Sequence, residues 1–125
     1  MLLDTCALLW LSHDQTRMSE KTLRKIDAAP VAYISAVSGF EIGMKYRAGK
    51  LRLPAPPQEW FREIIKHHQI DIIGLDLEIC IKATELPPIH KDPCDRFIIA
   101  TAVVQNLSVV TADPRFAAYG LDVMI

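Results

Sequence analysis

Apolar residues in this chain fall into short runs, and the runs alternate between the two-residue period of strands and the three-to-four-residue period of helices. "MLLDT" reads as the end of a short strand, Met1 to Asp4, leading into a helix over "CALLWLSH". "SEKTLRKIDAA" has helical spacing, with Ser19 as its N-cap. "VAYIS", Val31 to Ser35, is a strand of the buried type, and "AVSGFEIGMKYRAG" is a helix closed by Gly49 just past its end. The proline-rich "LRLPAPP" delivers the helix "QEWFREIIKHHQ", with Pro57 near its first turn. "IDIIGL" is extended and "DLEICIKATEL" helical, whereas the three prolines of "PPIHKDP" block helix and ladder alike. "CDRFIIATAVVQN" is helical, "SVVTAD" a strand, "PRFAAYG" a short helix and "LDVMI" a last strand.

Strands apolar on both faces and alternating with helices predict an α/β fold whose parallel sheet is covered on both sides. The expected architecture is one domain over residues 1–125, with a central parallel sheet of four to five strands and helices on both faces. Half the residues are hydrophobic and 23% charged, a globular composition. No apolar run approaches the roughly 18–20 residues of a membrane span, so no membrane role is expected. Asp4 interrupts "MLLDTCALLWL" and no basic segment precedes it, which argues against a signal peptide. Cys6, Cys80 and Cys94 are odd in number and lack metal-ligand spacing, and Cys6 and Cys80 are expected to pack as small apolar groups. A reducing, cytoplasmic setting fits them. Fourteen basic and fifteen acidic residues leave a net charge of −1, which argues against non-specific coating of nucleic acid.

The acids carry more information. In open α/β sheets ligands bind outside the carboxyl ends of the strands. Asp4 ends the first strand, and Asp113 directly follows "SVVTA". Glu41 lies about a turn and a half into the helix after "VAYIS", and Asp95 lies in the first turn of the helix that feeds "SVVTAD". Each of three has an ordinary structural use: Asp4 and Asp95 at helix N-termini, Asp113 opening a turn before Pro114. Glu41 is harder to explain that way, because it stands between Phe40 and Ile42 on a largely apolar helix. Four gathered carboxylates would repel one another unless a cation neutralised them, and hard divalent ions with oxygen ligands suit such a set. His90 has no second histidine at ligand spacing, and His67 and His68 sit on an exposed helix face, so zinc is not expected. There is no glycine-rich phosphate loop and no GxSxG, and Ser35 and Ser38 lack an evident histidine partner. Asp92, before Pro93, either orders its loop or supports Asp95.

"LLDT", "SAVSGFEIGMKYRAGKL", "HKDPCDRFIIATA" and "VVTADPRF" resemble, in order and spacing, the motifs of PIN-domain ribonucleases, and within them the VapC toxins of type II toxin–antitoxin systems. The likeness runs from Leu2 to about Phe116. It implies a PIN fold and a Mg2+- or Mn2+-dependent endoribonuclease, homodimeric and inhibited by a cognate VapB-type antitoxin. Carried over by motif, Asp4, Glu41, Asp95 and Asp113 form the catalytic cluster. Asp4 and Asp95 are its principal metal ligands, joined by Asp113. Thr5, Ser38, Asp92, Arg96 and Thr111 are expected to contact substrate or support the acids, with Arg96 a candidate for the RNA backbone. Lys45, Arg47, Lys50 and Arg52 are a second basic stretch, and equally a solvated helix end. The resemblance also implies a water attacking the phosphodiester in line, leaving 5′-phosphate and 3′-hydroxyl ends. Cys94 departs from the pattern, standing where an aromatic residue is usual before the acid. Trp60 and Phe61 contribute to a groove for an antitoxin segment, or else Trp60 and Ile64 pack on the core. The competing readings are a PIN-like nuclease acting on structured DNA and a non-catalytic scaffold used as a binding module. A phosphatase is disfavoured because "DTC" lacks the second aspartate of a DxD pair.

Overall fold

A computed structural model describes residues 1–125. Five short strands, β1 (Leu2–Leu3), β2 (Ala32–Ser35), β3 (Ile70–Ile73), β4 (Val109–Val110) and β5 (Val123–Met124), pair in parallel in the order β3-β2-β1-β4-β5. Six helices connect them: α1 (Thr5–His13), α2 (Glu20–Ala28), α3 (Ala36–Arg47), α4 (Pro57–His68), α5 (Leu77–Glu85) and α6 (Pro93–Gln105). The parallel α/β sheet read from the alternation is borne out, with five strands. "PRFAAYG" shrinks to one 3₁₀ turn at Ala117–Tyr119.

Side chains alternate across the sheet and so divide the core in two. Leu3, Ile34 and Val110 face one layer with Ala7, Leu8, Ile26, Ile42 and Trp60. Leu2 and Val109 face the other with Val37, Ile98, Ile99, Ala102 and Phe116. Helix ends follow local chemistry. The Ser19 hydroxyl accepts from the Thr22 N–H, and Asp76 caps α5 through the Ile79 N–H. At the end of α3, Gly49 adopts φ +73°, which lets Gly49 N–H reach the Tyr46 carbonyl and Lys50 N–H the Lys45 carbonyl.

Strand order reverses at β1: the chain moves outward through β2 and β3, then returns to β4 on the opposite side. Such a reversal opens a crevice at the carboxyl ends of the two strands that flank it. Asp4 follows β1 there, and Thr111 and Asp113 follow β4.

Three expectations change in the structure, and one open alternative is decided. Cys6 is exposed, because the second position of α1 faces outward while Thr5 and Ala7 face in; Cys94 is the buried thiol. Of the two readings of Trp60, packing on the core together with Ile64 is the one the structure bears out. Trp60 is buried, stacks 5.7 Å from His13 and meets Phe61 edge-on at 5.0 Å. β3 is an edge strand, so Ile72 stands 55% exposed rather than covered on both faces. Arg96 does not present its guanidinium to an RNA backbone. It donates five hydrogen bonds to the carbonyls of Ala83, Leu86, Pro87 and His90, tying the end of α5 and the following loop to α6.

A lysine cannot reproduce that planar fork. R96K should therefore lower unfolding free energy by about 1.5–3 kcal/mol, the loss of charge-assisted bonds to partly buried carbonyls. Urea denaturation followed by circular dichroism measures it, and an unchanged midpoint would contradict the assigned role.

Candidate functional site

Asp4 is both a cap and a site residue. Its backbone N–H donates to the Val110 carbonyl, extending the β1–β4 pairing by one residue. Its Oδ1 then accepts from the Ala7 N–H at 2.8 Å, starting α1. Its Oδ2 accepts from the Thr111 hydroxyl at 2.6 Å. The Thr111 oxygen in turn accepts from the Asp113 N–H at 3.0 Å, so one hydroxyl positions both strand-end acids.

Glu41 reaches the same crevice from α3. That helix is fastened beside Asp4 by a buried 2.9 Å hydrogen bond between the Thr5 and Ser38 hydroxyls, one turn before Glu41. Lys45, one turn further on, places its Nζ 3.3 Å from Glu41 Oε2. The other oxygen, Glu41 Oε1, is buried without a hydrogen-bond partner. A carboxylate oxygen withdrawn from water in this way is costly unless something else binds it.

Asp95 arrives on the first turn of α6, whose N-cap is Asp92: the Asp92 Oδ1 accepts from the Asp95 N–H at 3.1 Å. Asp92 thus orders the chain locally, as the cap of the helix that carries Asp95, and its bond is to the Asp95 backbone rather than to the carboxylate.

His90 is the residue that motif reading passed over. Its ring is 1% exposed, and its Nε2 lies 2.9 Å from Asp113 Oδ2 and 3.2 Å from Asp95 Oδ2. Its Nδ1 accepts from the Asp92 N–H, which puts the ring hydrogen on Nε2, facing the two acids. The backbone is pinned as well: its N–H donates to the Tyr119 hydroxyl and its carbonyl accepts from Arg96. The nearest thing to a local sign is that His90 opens the "HKDP" segment two residues before the cap. Its pairing with Asp113, 23 residues away, has no local signature. Arg115, also passed over, clamps Asp113: Nε donates to Oδ1 at 3.0 Å and Nη2 to Oδ2 at 2.8 Å, while its backbone N–H donates to Oδ1. Asp113 therefore serves the turn as well as the cluster.

Electrostatics separate the acids. Burial pushes the Asp4 carboxyl above its usual range; the Thr111 and Ala7 hydrogen bonds oppose that, and the charges of Glu41 and Asp113 reinforce it. Burial also pushes Asp95 up to about 6, with Asp92, Glu41 and Asp4 adding to it and His90 opposing. Asp113 is held down at about 2, chiefly by the Arg115 guanidinium. Burial takes the Cys94 thiol to about 11, and Cys6, though exposed as a residue, is raised by partial loss of water around it and by the Asp4 charge, so both keep their protons at neutral pH. Ligand atoms of Asp95, Asp113 and His90 lie within 4.8 Å of one another, and the charge of Glu41 is felt at both Asp4 and Asp95. With His90 Nε2 carrying a hydrogen and the thiols protonated, the available donors are carboxylate oxygens. Strained anions and an orphaned Glu41 oxygen fit a hard divalent cation.

The model of the PIN domain matches residues 1–121. The chain belongs to the PIN-domain family. Ribonuclease VapC22 of Mycobacterium tuberculosis is 28% identical over 120 residues, spanning 95% of this chain and 91% of that protein. Among solved structures, VapBC2 from Rickettsia felis, bound to a promoter DNA fragment, superposes with TM-score 0.72 at 16% identity, over 98% of this chain and 97% of that one. FitAcB from Neisseria gonorrhoeae superposes with TM-score 0.65 at 20% identity, over 99% and 96%. The PIN fold and the likeness to VapC proteins read from the four motifs are thus borne out. No helix of the domain is long and apolar enough to cross a membrane.

A carboxyl whose folded-state value lies above its unfolded one favours folding while protonated and opposes it once ionised. Asp95, moving from 3.8 to about 6, stabilises the fold at low pH and loses that contribution as pH rises through about 6. Without divalent ions, D95N should therefore raise stability at pH 7.5 by about 1–2 kcal/mol, the shift discounted for partial solvent screening. At pH 4 the gain should vanish. Asp113 acts oppositely, stabilising above the unfolded value of 3.8 and losing that as pH falls through about 2. Thermal melts of both proteins in EDTA across this range provide the check; a gain at pH 4 equal to that at pH 7.5 would refute the Asp95 assignment.

Proposed function

We propose that this PIN-domain protein is a divalent-cation-dependent endoribonuclease, the toxin of a type II toxin–antitoxin pair. The observation that carries the reading is Glu41 Oε1, buried without a partner on a side chain whose charge reaches both Asp4 and Asp95. Similarity to a ribonuclease over most of the chain supports RNA as the class of substrate.

Asp4 and Asp95 would be the principal holders of Mg2+ or Mn2+, and Glu41 and Asp113 would complete the set. When bound, such an ion lowers the pKa of a coordinated water and offsets charge on a phosphodiester. The protein's own groups prepare for this. Thr111 fixes Asp4 by taking one lone pair of Oδ2 and leaving the other open. Asp92 sets Asp95 at the start of α6, and the α6 N-terminus favours the anion. The Thr5–Ser38 bond keeps Glu41 in register with Asp4. Lys45 offsets the charge of Glu41 from the solvent side and, with the exposed Arg47, Lys50 and Arg52, presents cationic surface to an RNA backbone.

The proposed partner is a VapB-type antitoxin, supported by similarity to the solved VapBC2 and to a toxin–antitoxin complex from Klebsiella pneumoniae; a homodimer is proposed from the family resemblance alone.

D4N and D95N should each lower Mg2+- or Mn2+-dependent RNA cleavage at least a hundredfold, the scale of losing a principal ion-holding group. Gel assays on matched RNA and DNA strands, with circular dichroism to show an intact fold, read the outcome. RNA cleavage at the wild-type rate in either variant would sink the proposal, and equal cleavage of DNA would move it to another substrate.

A further inference from the structure

Asp113 differs from the other acids in having no room left. A carboxylate offers about four lone-pair directions, and four donors meet this one: His90 Nε2, the Arg115 backbone N–H, Arg115 Nε and Arg115 Nη2. A cation can reach an Asp113 oxygen only if one of them leaves. His90 is the wrong candidate, since its ring is 1% exposed and held at both nitrogens, and its backbone is held at both ends. The Arg115 side chain is 55% exposed, and Asp113 is the only partner of its guanidinium.

We infer that Arg115 is a tethered counter-ion that competes with the divalent cation for Asp113 and, once displaced, takes a phosphate of the substrate. The inference rests on the proposed reading of Asp113 as part of the cation site. Its physical basis is exchange between like partners. A guanidinium neutralises Asp113 while the site lacks an ion and becomes surplus charge when the ion enters. The planar fork that grips a carboxylate with two parallel hydrogen bonds matches a phosphodiester equally well. Arg115 thus moves from one anion to another at the same rim, while the Asp113 main chain stays anchored to Thr111. In this scheme Arg115 is a specificity-determining contact for phosphate, and His90 remains the fixed donor that keeps Asp113 oriented.

The test is Mn2+ titration by calorimetry on wild type, R115A, R115K and D95N, with steady-state RNA cleavage alongside. R115A should bind Mn2+ about three- to tenfold more tightly, since a partly exposed ion pair no longer competes. Its KM for RNA should rise about tenfold, with a smaller change in kcat, because the lost contact is to bound substrate. R115K keeps the charge without the fork and should fall between wild type and R115A in Mn2+ affinity. If wild type binds Mn2+, D95N does not, and R115A is unchanged or weaker, competition by Arg115 is overturned while the cation site stands. If wild type binds no Mn2+ at millimolar concentrations, the site and this inference fail together.

Discussion

The hydrogen bond from the Thr111 hydroxyl to Asp4 joins the ends of two neighbouring strands, and the acidic cluster is arranged around it. Asp4 is 5% exposed, and an ionised carboxylate at that depth needs several compensations. The start of α1 supplies one, through Ala7; Thr111 supplies another and passes its geometry to Asp113. Burial and acidic neighbours still hold the Asp4 carboxyl above its ordinary range. The tension is not relieved inside the protein, and the same holds for Asp95 and Glu41. A fold built for stability alone would put apolar side chains at these positions.

Two of the acids are restrained in opposite senses. Asp95 is disfavoured as an anion by burial and by neighbours of its own sign, whereas Asp113 is favoured by Arg115 and His90. The division resembles the way paired carboxylates are tuned apart elsewhere in protein chemistry, one strained and one satisfied. Here the strained partner sits at a helix N-terminus and the satisfied one in a turn after a strand. The difference follows from the donors each carboxylate meets: Asp95 meets only the shared His90 Nε2, whereas the turn gives Asp113 a whole arginine as well.

Much of this was legible in the chain. Alternating short runs reveal the parallel sheet because strands covered on both faces need apolar residues throughout, and Leu2, Leu3, Val109 and Val110 meet that need in adjacent pairs. Asp4 and Asp113 could be placed at one rim because strand direction fixes which end of each strand they follow. Gly49 and Ser19 announced helix ends through local backbone chemistry. The remainder depends on long-range geometry that spacing does not encode. His90 has no second histidine at ligand spacing, and its partners are carboxylates brought in from α6 and from beyond β4. Arg96 and Lys45 are both cations near acidic motifs, yet one is spent on carbonyls, whereas the other pairs with Glu41 and stays half exposed. Whether Cys6 or Cys94 is buried depends on helix rotation, which a run of apolar neighbours leaves open.

The bond between Thr111 and Asp4 spans 107 residues of chain, and β1 pairs directly with β4. A polypeptide still emerging from the ribosome therefore carries Asp4 and Glu41 long before it has anything to set beside them. The acidic cluster cannot assemble until β4 and the turn after it have been made, because contacts so distant along the chain form only once both segments exist. For the proposed nuclease, topology thus sets the order of events: the strands pair first, and the cation site follows.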